Sequence, residues 1–253
     1  MSKQRFGIGL VHGVIATQSG ALLPQLPDAF DVAEVISARA DEHALLISDI
    51  PQYLRGHVEA NTLFADPARI SALAMAHHRI LQAAAVVTDV VPVRLGTLVR
   101  GDSGARDLLT REAARFAGHL ATIRDALEFS VRILPTQQPV RRVVRAQPSS
   151  GREYLRARKD ERACGRPAIV DSTLQELAQR AVAICERQSA SRAAGRAPAL
   201  AEAAFLVRRR NLADFDDCAG RIERQIAEDG LALDIFGPWP AYSFVDGARE
   251  MQG

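Results

Sequence analysis

Gly7, Gly9 and Gly13 lie close together in RFGIGLVHG, and clustered glycines near a chain start raise phosphate binding as the first chemistry to test. Their spacing is G-x-G-x-x-x-G, not the dinucleotide fingerprint, and no helix start follows, so the stretch reads as a strand softened by glycine. No G-x-x-x-x-G-K-[ST] occurs either. His57 and Glu59 form an H-x-E, but the P-C-x-x-C that completes a zinc deaminase site is missing. His77 and His78 are adjacent on a predicted helix, about 100° apart around its axis, and cannot chelate one ion as an i, i+4 pair would. One is expected to pack inward and the other to face solvent. No G-x-S-x-G elbow is present, and Cys164, Cys185 and Cys218 have no helix-start context to lower a thiol pKa. Cys185 and Cys218 are expected in amphipathic helices as small core residues. Asp214, Asp216 and Asp217 read as carboxylates favouring the positive end of a helix dipole. The sequence thus implies no catalytic constellation, no cofactor site and no metal site.

The elements that would position any site alternate along the chain. Strands are expected at 5–16, at 32–40 and 43–50 as a hairpin around Asp41 and Glu42, at 90–99, 128–135, 201–207 and 231–236. Asp66 and Pro67 form a helix start before Ile70, Leu73, His77 and Leu81, which recur on one face through residue 87. A turn and cap at Gly101–Gly104 precede a single long helix carrying Leu108, Leu109, Phe116, Leu120, Ile123 and Leu127. Ser172 and Gln175 have capping-box spacing before Leu174, Leu177, Ala181 and Ile184. Leu212, Phe215, Ala219, Ile222 and Ile226 define a last helix, stopped by Gly230. These patterns predict an α+β fold in two domains, an N-terminal α+β domain and a C-terminal ferredoxin-like α/β sandwich.

Charge is unevenly distributed. Residues 137–166 hold nine basic and three acidic side chains, whereas residues 1–136 and 167–253 are each slightly acidic. The segment TQQPVRRVVRAQPSSG has linker composition. It suggests boundaries at 1–136, a basic Pro/Arg-rich linker at 137–150 and a C-terminal domain at 151–253. Nine cations would give salt-dependent phosphate binding, but Tyr154 is the only aromatic among them, so base stacking is poorly served. Nucleic-acid or regulatory binding through 141–166 is the alternative function, and an acidic protein surface is a further partner for the same segment. Three cysteines at wide spacing fit a reducing cytoplasm better than a disulfide framework. No stretch approaches the roughly 18 to 20 uninterrupted apolar residues that span a bilayer, and the N-terminus is expected to be the first strand of a soluble protein.

GREYLRARK (151–159), VPVRLGT (91–97), EFSVRIL (128–134), AAFLVRRRNLADFDD (203–217) and LALDIFGPWPAYSFV (231–245) carry a family likeness: the chain resembles the gas vesicle GvpF/GvpL proteins over nearly its whole length. It departs at Leu95, where an aromatic is expected, and in the Arg/Pro-rich stretch around 137–150. The resemblance implies a cytoplasmic, gas vesicle associated protein that is not an enzyme. It implies an assembly factor or minor vesicle component binding the hydrophobic major shell protein, with other gas vesicle accessory proteins as further partners. No nucleic-acid or membrane partner is expected from it. Candidate contacts to a partner are Arg141, Arg142, Arg145, Arg152, Tyr154 and Arg156.

Gly237, Pro238, Trp239, Pro240, Tyr242 and Phe244 carry the most specific part of the resemblance. Two prolines fix two φ angles and remove two donors around the only tryptophan, so helix interior is excluded. Gly237 and Pro238 are expected to break the last strand, and Trp239, Tyr242 and Phe244 to pack back over the C-terminal domain as structural residues.

Overall fold

In the computed structural model, the apolar run after Phe6 forms strand β1 (Ile8–Ala16), eight of whose nine residues are buried. A strand covered on both faces needs no polar alternation, which is why this segment reads as a continuous apolar run. The structure describes residues 6–17, 26, 29–30, 36–40, 42–59, 61–136, 167–187 and 199–245. β1 pairs antiparallel with β3 (His43–Asp49), and β3 pairs with β2 (Ile36–Ala40) in the expected hairpin, with Ala40 opposite His43. The glycines of β1 serve packing rather than phosphate binding. A Cβ on Gly13 would sit 2.7 Å from Leu81, 2.8 Å from Val90 and 3.0 Å from the Val91 carbonyl oxygen.

The other flank of β1 holds β4 (Val91–Pro92) and β5 (Leu98–Arg100), in place of the single strand expected over 90–99. Pro92 has no N–H for a ladder, and Gly96, at φ 92°, takes a left-handed turn closed by the Thr97 N–H on the Arg94 carbonyl at 3.2 Å. The sheet order is therefore β2-β3-β1-β4, with β5 also on β1. Helix α1 (Gln52–Glu59) was not expected from the sequence pattern. α2 (Pro67–Val87) begins as expected, the Asp66 carboxylate accepting from the Ala68 N–H at 3.0 Å. Its buried residues Leu73, Ala76, His77, Ile80, Leu81, Ala84 and Ala85 make it a core helix.

The predicted long helix after residue 101 is two, α3 (Gly101–Arg111) and α4 (Ala113–Ile123), separated at Glu112, whose φ of −102° and ψ of 8° leave the helical region. Gly101 to Gly104 are inside α3 rather than a cap before it. Leu127 belongs to the following strand, β6 (Ala126–Pro135). Asp125, at φ 51°, turns the chain there, its N–H bonded to both Asp89 carboxylate oxygens at 2.9 and 3.0 Å.

A second sheet has the order β7-β8-β6-β9, built from β6, β7 (Ala183–Arg187), β8 (Ala201–Arg208) and β9 (Leu231–Trp239). Both sheets are antiparallel, so the fold is α+β as the sequence indicated. α5 (Ala168–Ala178) and α6 (Leu212–Glu228) bury Val170, Leu174 and Leu177, and Phe215, Cys218, Ala219, Ile222 and Ile226, against Val131, Ile133, Phe205, Val207, Leu231 and Leu233. Phe215 sits 5.5 Å from Phe129 and 5.9 Å from Phe205, ring centre to ring centre. Pro167 occupies the start of α5, and Ser172 lies inside it, donating to the Ile169 carbonyl at 3.0 Å, so the expected capping box is not formed. Ile184 and Cys185 are in edge strand β7, not a helix. They stand opposite Phe205 and Ala204 of β8, and that pairing overrides the helical spacing.

Closest packing divides the chain into one unit of Met1–Glu128 with Pro238–Gly253 and another of Phe129–Gly237. The segment 137–150, expected as a linker, lies outside the described residues. The elements before and after it, β6 from Phe129 onward and α5, belong to the same unit. β9 runs through Gly237 and Pro238 instead of breaking at them.

Candidate functional site

Two polar clusters and one charged cleft carry whatever chemistry the described residues offer. The first begins at His12. Strand pairing skips a residue there, since Val11 faces Ile47 and Gly13 faces Leu46, so His12 is the extra residue of a bulge. A bulge re-aims a side chain, and the His12 ring is fully buried. Its Nδ1 lies 3.0 Å from Nδ1 of His77, and its Nε2 lies 2.8 Å from the Ser48 hydroxyl, which also accepts the Ala29 N–H at 3.2 Å.

The tautomers follow from this network. His77 hydrogen-bonds the Val93 backbone in a way that favours its protonated form, so the ring donates there and leaves Nδ1 as an acceptor. His12 then donates from Nδ1 to His77, and Ser48 donates to His12 Nε2. Burial, followed by the neighbouring His77, pushes the His12 pKa down to about 3. Burial, followed by the neighbouring His78, pushes that of His77 down to about 4, the Val93 bond opposing it. Both rings are neutral at physiological pH, enclosed and fully engaged, an arrangement that orders a core and offers no base to a substrate.

The second cluster joins the C-terminal segment to α2 and β6. The His78 ring is 5.3 Å from Trp239, tilted at 50°, and 5.9 Å from Tyr242, nearly parallel at 27°. Tyr242 Oη stands 3.0 Å from His78 Nδ1. Burial and then the Glu128 carboxylate push the Tyr242 pKa up, and burial lowers that of His78, so the phenol donates to a neutral imidazole. Glu128, 1% exposed, accepts from the Ser243 N–H at 2.7 Å and its hydroxyl at 2.8 Å. Trp239 and Tyr242 therefore pack on the first unit, not back over the second as the sequence suggested. His77 does face inward as expected, but His78 is half-buried under aromatics rather than solvated.

The cleft lies in the second unit, about 730 Å³ in volume, lined by Arg180, Arg221, Arg224, Asp214 and Asp217 among others. Arg221 pairs with Glu176. Asp214 occupies the first turn of α6, as expected for a dipole-favouring carboxylate. The mixed charge suits a charged protein surface better than an apolar ligand. His57 and Glu59 are exposed on α1, His57 Nδ1 lying 3.0 Å from the Thr62 hydroxyl. Among the described residues no three of His, Cys, Asp or Glu are grouped to hold a metal ion. Arg141, Arg142, Arg145, Arg152, Tyr154 and Arg156 lie outside the described residues. Sequence reading missed the His12–His77–Ser48 network. Its only local signal was a histidine inside an apolar strand.

Comparison with known proteins places these features. Residues 10–246 match the family model described as gas vesicle synthesis protein GvpL/GvpF. Gas vesicle protein L of Streptomyces sp. (strain CB03234) is 30% identical over 211 residues, covering 78% of this chain and 75% of that protein. The crystal structure of the gas vesicle protein GvpF from Anabaena sp. PCC7120 superposes with a TM-score of 0.69 at 18% identity, over 94% of this chain and 96% of that one. GvpF from Microcystis aeruginosa gives a TM-score of 0.63, also at 18% identity, over 94% and 98%. These last two likenesses establish the fold. With the family match extending from β1 to the segment that carries Trp239, Tyr242 and Ser243, the chain belongs to the GvpL/GvpF family of gas vesicle synthesis proteins.

Proposed function

We propose that this chain is a non-enzymatic assembly factor or minor component of the gas vesicle that binds the hydrophobic major shell protein in the cytoplasm and supports vesicle nucleation. Its family gives it a role in gas vesicle formation and is not a known enzyme family. The observation that carries the reading is the family match over residues 10–246, nearly the whole of the sequence. A very apolar shell subunit must be kept from premature self-association, and a soluble partner does this by offering an edge strand or an apolar face. Other gas vesicle accessory proteins are further partners, and Arg141, Arg142, Arg145, Arg152, Tyr154 and Arg156 are proposed as a salt-sensitive part of the contact. The second unit is read as a ferredoxin-like sandwich, supported by its β-α-β-β-α-β succession and the order β7-β8-β6-β9.

Co-expression with the major shell protein tests the reading. The shell protein is expected in the soluble fraction, co-purifying with this chain; a shell protein found only in the pellet, with none retained, sinks the proposal. The charge of residues 137–166 favours one second reading, nucleic-acid binding. A mobility shift at low salt that disappears when Arg141, Arg142 and Arg145 are replaced by alanine would support that reading instead.

A further inference from the structure

Helix α6 carries a row of charges that reads the same, with every sign reversed, from either end. Arg210, in the turn Arg209–Asn211 just before the helix, is followed by Asp214, Asp217, Arg221, Arg224 and Glu228 at alternating spacings of four and three. At ~100° per residue the five helical members fall within roughly 80° of arc, on one flank of the helix. Asp214, Asp217, Arg221 and Arg224 line the charged cleft there, together with Gln179 and Arg180 from the end of α5. Arg221 is half-buried and pairs with Glu176. The other five are exposed and make no ion pair among the described residues.

The order of signs selects the occupant. Asp217 and Arg221 lie two residues either side of Ala219, Asp214 and Arg224 five, and Arg210 and Glu228 nine. Each of these pairs is of opposite charge. A second α6 laid antiparallel on the first, with a two-fold axis level with Ala219, brings Asp217 to Arg221, Asp214 to Arg224 and Arg210 to Glu228, each pair formed twice. Other arrangements fail on charge. A slip of four residues sets Arg221 against Arg221 and Asp214 against Glu228, or in the other direction Asp217 against Asp217 and Arg210 against Arg224. A parallel pair sets every charge against itself, and a partner surface of one sign meets half the row with like charge. The helix dipole accounts for Asp214 in the first turn, but it disfavours Glu228 in the last, where no basic residue stands. A Cβ added at Gly220 would meet nothing within 4 Å, so a second helix has room to approach near the axis.

We propose that the charged flank of α6 is the contact surface of a symmetric dimer, its partner the same flank of a second copy of this chain. Exposed ion pairs are individually weak, so the charges set register and partner, and the dimer is weak and salt-sensitive. The contact does not depend on the shell binding proposed above. Sedimentation of the full-length chain at low and high salt tests it, with Asp214→Arg and Arg224→Asp as variants. Both positions are exposed and without an ion pair, so folding is expected to persist, which an unchanged far-UV circular dichroism spectrum checks. Wild type is expected to dimerise at low salt and to dissociate as salt rises. Each variant alone sets like charges opposite each other twice and is expected to associate about tenfold less tightly. An equimolar mixture is expected to recover association to within about threefold of wild type, because the altered charge of each variant then meets its opposite in the other. A wild type that remains monomeric at low salt overturns the assignment. A dimer unaffected by either variant, or a mixture no more associated than its components, overturns it as well.

Discussion

A buried histidine pair that must stay neutral sets how this protein responds to acid. His12 and His77 have folded pKa values of about 3 and about 4, below the ordinary 6.5. The unfolded chain therefore binds more protons than the folded one once pH falls below 6.5. The stability associated with the neutral rings is complete above that pH and is lost as pH falls toward 4. A tenfold difference in proton affinity between folded and unfolded chain corresponds to about 1.4 kcal/mol, so a decline of roughly one to a few kcal/mol between pH 7 and pH 5 is expected in urea unfolding. His12→Asn removes one titrating ring and should flatten that decline. Equal slopes for variant and wild type would show that the pair does not govern acid stability. The inward placement of His77 was legible because it shares a helical face with Leu73 and Leu81. Its partner was not, because 65 residues separate His12 from His77 and only a bulge in β1 aims the two rings at each other.

At the scale of elements, the sequence was most readable where a local group fixes a boundary. Asp66 and Pro67 mark the start of α2 because the carboxylate satisfies an end N–H and proline needs none. Two helices replaced one at Glu112 because apolar spacing continues across a break that only backbone angles reveal. β7 was missed because its alternation covers five residues at a sheet edge, where pairing with β8 outweighs local preference. The segment after β9 was misplaced for a similar reason: proline and tryptophan show that it is rigid and apolar, not which surface it meets. Trp239 is half-buried against His78, so Trp239→Ala is expected to cost about 2 kcal/mol, below the ~3 to 5 of a fully buried aromatic. Hydrogen exchange locates the loss: protection should fall in α2 and hold in α6. A loss confined to α6 would contradict the packing of Trp239 on His78.

For the whole molecule, the family and the α+β class were readable, since ordered motifs and element types are properties of sequence. The path of the chain was not. The Pro238–Gly253 segment packs with Met1–Glu128, although β9 has just completed the sheet of Phe129–Gly237. Removing everything after Gly237 deletes Trp239, Tyr242 and Ser243 and leaves the Glu128 carboxylate without the two Ser243 donors. Limited proteolysis of that truncated chain should open sites within Met1–Glu128 first, while Phe129–Gly237 persists as a resistant fragment. Equal resistance of both would mean that the last residues do not support the first unit.

The second unit begins at Phe129 in β6 and ends at Gly237 in β9, and these two strands are antiparallel neighbours in one sheet, the Thr136 N–H just after β6 bonding the Gly230 carbonyl just before β9 at 2.8 Å. The second unit thus enters and leaves at adjacent points, like an insert spliced into a host gene product. Such a module can be shortened, exchanged or replaced by a brief glycine-serine bridge without changing the connectivity of its host. Its evolutionary freedom to vary is correspondingly separate from that of the fold it interrupts.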